Sequence, residues 1–128
     1  MIRILIADDQ EGWRKFNTEA VYKILGENTD IETASSAEEG YTKYLNSFDN
    51  PYDYIITDMQ MENSYAPKMA GEWLIEQVQS LKYSYKTKII IISASPHIKI
   101  IAEKYNVDYI SKRNALTSIE PYKELLKH

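Results

Sequence analysis

Five side chains equipped for chemistry stand at the ends of short apolar runs. Asp8 and Asp9 follow residues 2–7, Asp58 follows 52–57, Ser93 closes 88–93, and Lys112 follows 107–111. Three carboxylates gathered at one point repel one another, and keeping them ionised near neutral pH calls for a cation among them. Mg²⁺ is well suited, being a hard ion that prefers oxygen ligands in octahedral array and retains several waters, so two or three carboxylates and a carbonyl suffice. Lys112 adds a compact positive charge and Ser93 a hydroxyl, each able to donate to an oxyanion. The set describes a cation-dependent oxyanion trap, provided that the fold brings the five groups together. Taken singly, each has a plainer role. Asp58 suits a turn, Asp8 and Asp9 suit the N-terminus of a helix, and Ser93 and Lys112 suit a solvated surface.

The elements that carry these residues are legible from periodicity. Residues 2–7 are short, apolar and β-branched, and they end at the acidic pair. Over residues 11–27, Phe16, Ala20, Val21, Ile24 and Leu25 recur at three- and four-residue spacing, the stripe of an amphipathic helix. Residues 31–35 form a second strand. A second helix opens on Ser36-Ala37-Glu38-Glu39, a capping box in which the Ser hydroxyl and a Glu side chain satisfy free backbone amides. Its buried stripe is predicted as Ala37, Tyr41, Tyr44, Leu45 and Phe48.

After the turn signal Asp49-Asn50-Pro51, residues 52–57 read as a third strand ending on Asp58. A third helix is predicted over 71–83 with Trp73, Leu74, Val78 and Leu81 inward. Residues 88–93 are apolar on both faces, as in the middle of a covered sheet. Ser95 and Pro96 are read as cap and first residue of a fourth helix through Tyr105, and 107–111 as a fifth strand. Pro121 belongs in a first helical turn, so a short last helix is expected with Ser118 as cap and Tyr122, Leu125 and Leu126 packing. Strands alternating with helices predict an α/β fold, a doubly wound parallel sheet that gathers the carboxyl ends of its strands, and all five groups, at one edge.

Composition narrows the function. The 128 residues match one domain in length, and 44% hydrophobic with 27% charged residues is the balance of an ordinary globular chain. A net charge of −4 argues against nucleic acid as a partner, because that binding draws on Lys and Arg set against phosphates. No apolar run approaches the roughly 20 residues that cross a bilayer, and the N-terminus leads into a strand, so no membrane partner and a cytoplasmic location are expected. The absence of cysteine excludes disulfides, thiolate metal sites and thiol catalysis. Neither His97, expected in the first turn of the fourth helix, nor the terminal His128 has a ligand neighbour at metal spacing.

The order of an acidic pair after the first strand, Asp58 after the third, Ser93-Ala94 after the fourth and Lys112 after the fifth resembles the receiver domain of two-component response regulators across essentially all of 1–128. The resemblance implies a flavodoxin-like (βα)5 architecture, a five-stranded parallel sheet of order 2-1-3-4-5. It implies that Asp58 is the phosphoacceptor, taking a phosphoryl group from a phosphohistidine of a sensor histidine kinase or phosphotransfer protein. Asp8, Asp9 and Asp58, with the backbone carbonyl of Gln60, would hold Mg²⁺. Ser93 and Lys112 would take the phosphoryl oxygens, Ala94 would leave them room, and Tyr109 would turn inward with Ser93 in the active state. The activity so implied is that of a signalling phosphoacceptor with only self-phosphorylation and self-dephosphorylation, acting on a downstream protein that the sequence does not name.

Two departures stand out. Glu62 occupies a position where the family commonly has Pro, and residues 62–70 lengthen the loop before Gly71. Such a loop either covers the phosphoryl group, meets a partner, or is an inert insertion. Arg113 follows Lys112 where Pro is usual. Rival readings are a phosphate-independent interaction module on the same fold and a small Mg²⁺-dependent aspartyl-phosphate phosphatase. The second is disfavoured because Asp8-Asp9-Gln10 lacks the Asp-x-Asp spacing. A flavin site is disfavoured by the acidic loop Asp8-Asp9-Gln10-Glu11-Gly12.

Overall fold

The computed structural model describes residues 1–127; His128 lies outside them. The strands are β1 (Arg3–Ala7), β2 (Asp30–Ala34), β3 (Tyr54–Asp58), β4 (Lys88–Ser93) and β5 (Asp108–Ser111). The helices are α1 (Glu11–Leu25), α2 (Ala37–Leu45), α3 (Ala70–Gln79), α4 (Ile98–Tyr105), α5 (Lys112–Thr117) and α6 (Glu120–Leu125), with a 3₁₀ turn at Ser84–Lys86. All strand pairs are parallel, in the order β2-β1-β3-β4-β5. This is the expected order.

Because successive strand residues face opposite ways, the central strands feed two cores. Leu5, Ile55, Ile89 and Ile91 pack with Tyr44, Leu74, Val78 and Ala102 under α2, α3 and α4. Ile4, Ile6, Ile56, Ile90 and Ile92 pack with Val21, Ala115 and Tyr122 under α1, α5 and α6. The strands' hydrophobic runs are thus explained by burial on both faces. Among the described residues no helix is long and apolar enough to cross a membrane.

Several expectations need correction. Leu45 and Phe48 are 42% and 68% exposed rather than buried. The helix ends at Leu45, so the 3.6-residue spacing that would carry Phe48 inward has already stopped. The capping box holds in a shifted form: the Glu39 amide donates to Ser36 Oγ at 3.0 Å, while the Glu39 carboxylate takes the Ser35 amide at 2.6 Å. Ser95 and Pro96 precede α4 instead of opening it. Ser95 Oγ accepts from the His97 amide at 3.1 Å, which makes a side-chain turn and leaves His97 as the residue before the helix. The stretch after β5 holds two helices where one was expected. Helix α5 begins at Lys112 itself, and Ser118 Oγ accepts from the Glu120 amide ahead of α6. Helices α1 and α3 end at Leu25 and Gln79, short of the predicted ends.

Candidate functional site

Register builds the site. Ala7 pairs with Thr57, so the next residues along, Asp8 and Asp58, leave the same edge side by side. Asp58 pairs with Ile92 and Ser93 with Ser111, which brings Ser93 and then Lys112 to that edge. The carboxylates of Asp8, Asp9 and Asp58 offer oxygens that all lie within 4.8 Å of one another. Lys112 Nζ stands 3.4 Å from Asp58 Oδ1 and 3.5 Å from Asp8 Oδ2. The expected convergence of Asp8, Asp9, Asp58, Ser93 and Lys112 on one edge is present.

Burial sets the electrostatics. Asp8 is fully buried and Asp58 only 5% exposed. Desolvation, then the neighbouring Asp8 charge, push the Asp58 carboxyl up to about 6, against the opposing pull of Lys112. Burial likewise raises Asp8. The backbone answers part of this charge: the Met59 amide donates to Asp58 Oδ1 at 2.9 Å and the Gln10 amide to Asp8 Oδ1 at 2.9 Å. Asp8 Oδ2 is buried without a hydrogen bond among the described residues. An all-oxygen cluster with an unsatisfied buried oxygen is chemically suited to a hard divalent cation.

Ser93 is buried, and its Oγ accepts from the Ser95 amide at 3.1 Å, which leaves its own proton free to donate. Gln60 is exposed directly after Met59. Tyr109 lies on the edge strand, 40% exposed and outside both buried clusters. Loop 62–70 does not hang free. The Ala37 amide donates to Glu62 at 3.0 Å, Tyr65 stacks on Trp73 at 4.2 Å, and Lys68 pairs with Glu76.

Three further residues support the site. Arg14 Nη1 donates to the Asp8 carbonyl at 2.8 Å, and the Trp13 ring lies 4.8 Å from Lys112 Nζ. Gly71 allows α3 to start against the backbone of Asp58 and Met59. Trp13 was findable, since 13, 16 and 20 extend the α1 stripe by one turn; the Arg14 contact to a carbonyl has no sequence signature.

A sequence model of the response regulator receiver domain matches residues 4–121. The chain belongs to the response regulator receiver domain family. Receiver domains are signalling domains that bind a divalent metal at an acidic pocket, and this chain carries an acidic cluster of Asp8, Asp9 and Asp58. The receiver is 38% identical over 100 residues to a gliding motility regulatory protein of Myxococcus xanthus; the match takes in 77% of this chain but 12% of that protein's length. Solved receivers share the fold. The chemotaxis protein CheY4 of Vibrio cholerae superposes with a TM-score of 0.73 at 21% identity, over 98% of this chain and 96% of that one. A phosphorylated cyanobacterial phytochrome response regulator, RcpA, gives 0.74 at 18% identity, over 97% and 90%. A Mn²⁺-bound response regulator, Rcp1, gives 0.72 at 14%, over 98% and 91%.

Proposed function

We propose that this receiver is a phosphoacceptor of a two-component or phosphorelay system, with Asp58 as the acceptor and Mg²⁺ as the metal. The observation that carries the reading is the environment of Asp58: a nearly buried carboxylate at the end of the central strand, 3.4 Å from an ammonium and clustered with two further carboxylates. An Asp58 oxygen forms the new bond to phosphorus as the phosphorus–nitrogen bond of a phosphohistidine breaks, and the departing imidazole keeps the electron pair and takes up a proton. Asp8, Asp9, Asp58 and the Gln60 carbonyl would hold Mg²⁺, which would supply neutralisation of the phosphoryl charge.

The chain's own groups do the rest by alignment. The Met59 amide fixes one Asp58 oxygen and so presents the other to the donor. Lys112, already between Asp8 and Asp58, balances the negative charge that arrives. Ser93 donates its free proton to a phosphoryl oxygen, and Tyr109 turns inward as Ser93 is drawn toward the phosphate. The donors are a sensor histidine kinase or a phosphotransfer protein, the output is contact with a downstream protein, and the setting is the cytoplasm. Residues 1–128 act as one receiver unit, with neither nucleic acid nor membrane as a partner. The relatives named above include a phosphorylated regulator and a Mn²⁺-bound one, which supports both halves of the reading.

Intact mass after incubation with acetyl phosphate and Mg²⁺ tests it. One added phosphoryl group, absent in Asp58→Asn and in EDTA, is the expected result. No adduct in the wild type, with beryllofluoride also failing to bind, overturns it in favour of a phosphate-independent interaction module.

A further inference from the structure

Lys112 opens α5, where the partial positive charge of a helix N-terminus opposes a cation. Its ammonium is nevertheless drawn into the site, with the side chain only 12% exposed. Two carboxylates contribute, but they stand at nearly equal distances, 3.4 and 3.5 Å, and Asp8 Oδ2 gains no aligned hydrogen bond from the contact. Charge attraction draws the ammonium between Asp8 and Asp58. The third neighbour is the face of Trp13, with its ring centroid 4.8 Å from Nζ.

Trp13 is itself held. Its ring meets Phe16 edge-on at 5.1 Å, and Phe16 leans on the buried Tyr122 of α6 at 6.5 Å. The next residue, Arg14, ties the start of α1 to the Asp8 carbonyl. A ring backed in this way acts as a fixed wall. Its quadrupole attracts the ammonium, and its bulk keeps water from that side. An ammonium held and partly dehydrated in this manner has its charge available to an incoming oxyanion with little reorganisation.

We propose that Trp13 is a positioning residue for phosphoryl transfer: its indole face sets the Lys112 ammonium against Asp58. The inference rests on Asp58 being the phosphoacceptor. It predicts a graded dependence on the ring, with Phe weaker than Trp and Leu, which is apolar but has no π face, weaker still.

The test measures maximal phosphoryl uptake from acetyl phosphate with Mg²⁺ in the full chain, for the wild type, Trp13→Phe and Trp13→Leu, and repeats Trp13→Leu in a Lys112→Ala background. Trp13→Leu is expected to slow the maximal rate about fivefold, the rate equivalent of one partly desolvated cation–π contact. Trp13→Phe should fall between, the half-saturating donor concentration should be unchanged, and the Leu substitution should have no effect once Lys112 is gone. Undiminished uptake by Trp13→Leu, or the same slowing in the Lys112→Ala background, overturns the proposal. No uptake by the wild type would sink the phosphoacceptor reading itself, so the two failures are distinguishable. Should Trp13→Leu not fold, NMR of the wild type decides: ring current from the indole should move the Lys112 ε-methylene protons upfield, and Trp13→Phe should reduce that shift. An unshifted wild-type signal overturns the proposal.

Discussion

A Cβ on Gly71 would lie 2.3 Å from the carbonyl oxygen of Asp58 and 2.7 Å from the Cα of Met59. The first turn of α3 is thus packed on the backbone that presents the Asp58 carboxylate, and the Gly71 amide donates to the Met59 carbonyl at 2.9 Å. Only a residue without a side chain permits that approach.

Gly71→Ala is therefore expected to destabilise the fold by about 3 kcal/mol, at the upper end for overpacking, because backbone rather than a flexible side chain must yield. Urea unfolding measures this. Phosphoryl uptake by the folded fraction should fall roughly tenfold, since a displaced Met59 amide no longer aligns Asp58. A stability within about 0.5 kcal/mol of the wild type, as for an ordinary surface substitution, would contradict the tight packing.

The raised pKa of Asp58 ties stability to pH. An unfolded Asp ionises near 3.8, whereas in the metal-free fold Asp58 holds its proton up to about 6. The folded state binds the proton more tightly, so this contribution is complete below pH 3.8 and is lost as pH rises through about 6. The loss amounts to about 3 kcal/mol. In EDTA, Asp58→Asn should be more stable than the wild type at pH 7, and the gap should close toward pH 4. Mg²⁺ should stabilise the wild type more than the variant. Parallel urea curves for the two proteins across that range would contradict the assignment.

Glu62 acts at a distance from the loop that carries it, taking the Ala37 amide at the start of α2. Glu62→Ala should cost about 1 kcal/mol, as for loss of a helix cap. Tyr65→Ala, which removes the stack on Trp73, should expose loop 62–70 to proteolysis. Unchanged cleavage in that loop would argue that it is not strapped to α2 and α3.

Tyr122 and Asn17 form a buried pair 2.5 Å apart, and Asn17 Nδ2 has no partner among the described residues. Tyr122→Phe strips Asn17 of the hydroxyl it accepts from and should cost about 2 kcal/mol. Adding Asn17→Leu removes the stranded amide and should recover part of that loss. A double variant as unstable as the sum of the two singles would show that the pair is not coupled.

Strand ends were legible because a parallel sheet buried on both faces writes itself as apolar runs, and a charge closing the first, third and fifth runs marks their carboxyl ends. Asp8, Asp58 and Lys112 could be read that way. Phe48 could not, since its spacing suits a helix that has already terminated at Leu45. Helix α5 is not legible because residues 112–117 carry little buried apolar stripe beyond Ala115, and Pro121 marks only the later turn. The roles of loop 62–70 depend on contacts of Glu62 and Tyr65 with distant segments, for which local sequence has no signature.

Lys112 follows β5, a four-residue strand at the sheet edge that among the described residues pairs only with β4. Edge strands fray first, and fraying here would withdraw the ammonium from Asp8 and Asp58 while both stay anchored in the centre of the sheet. Opening that edge therefore carries an electrostatic penalty beyond its few ladder bonds, which makes a short peripheral strand part of the cooperative unit. Amide exchange at whichever of Tyr109 and Ile110 donates to β4 should accordingly be slow for so short an edge, and should quicken in Lys112→Ala.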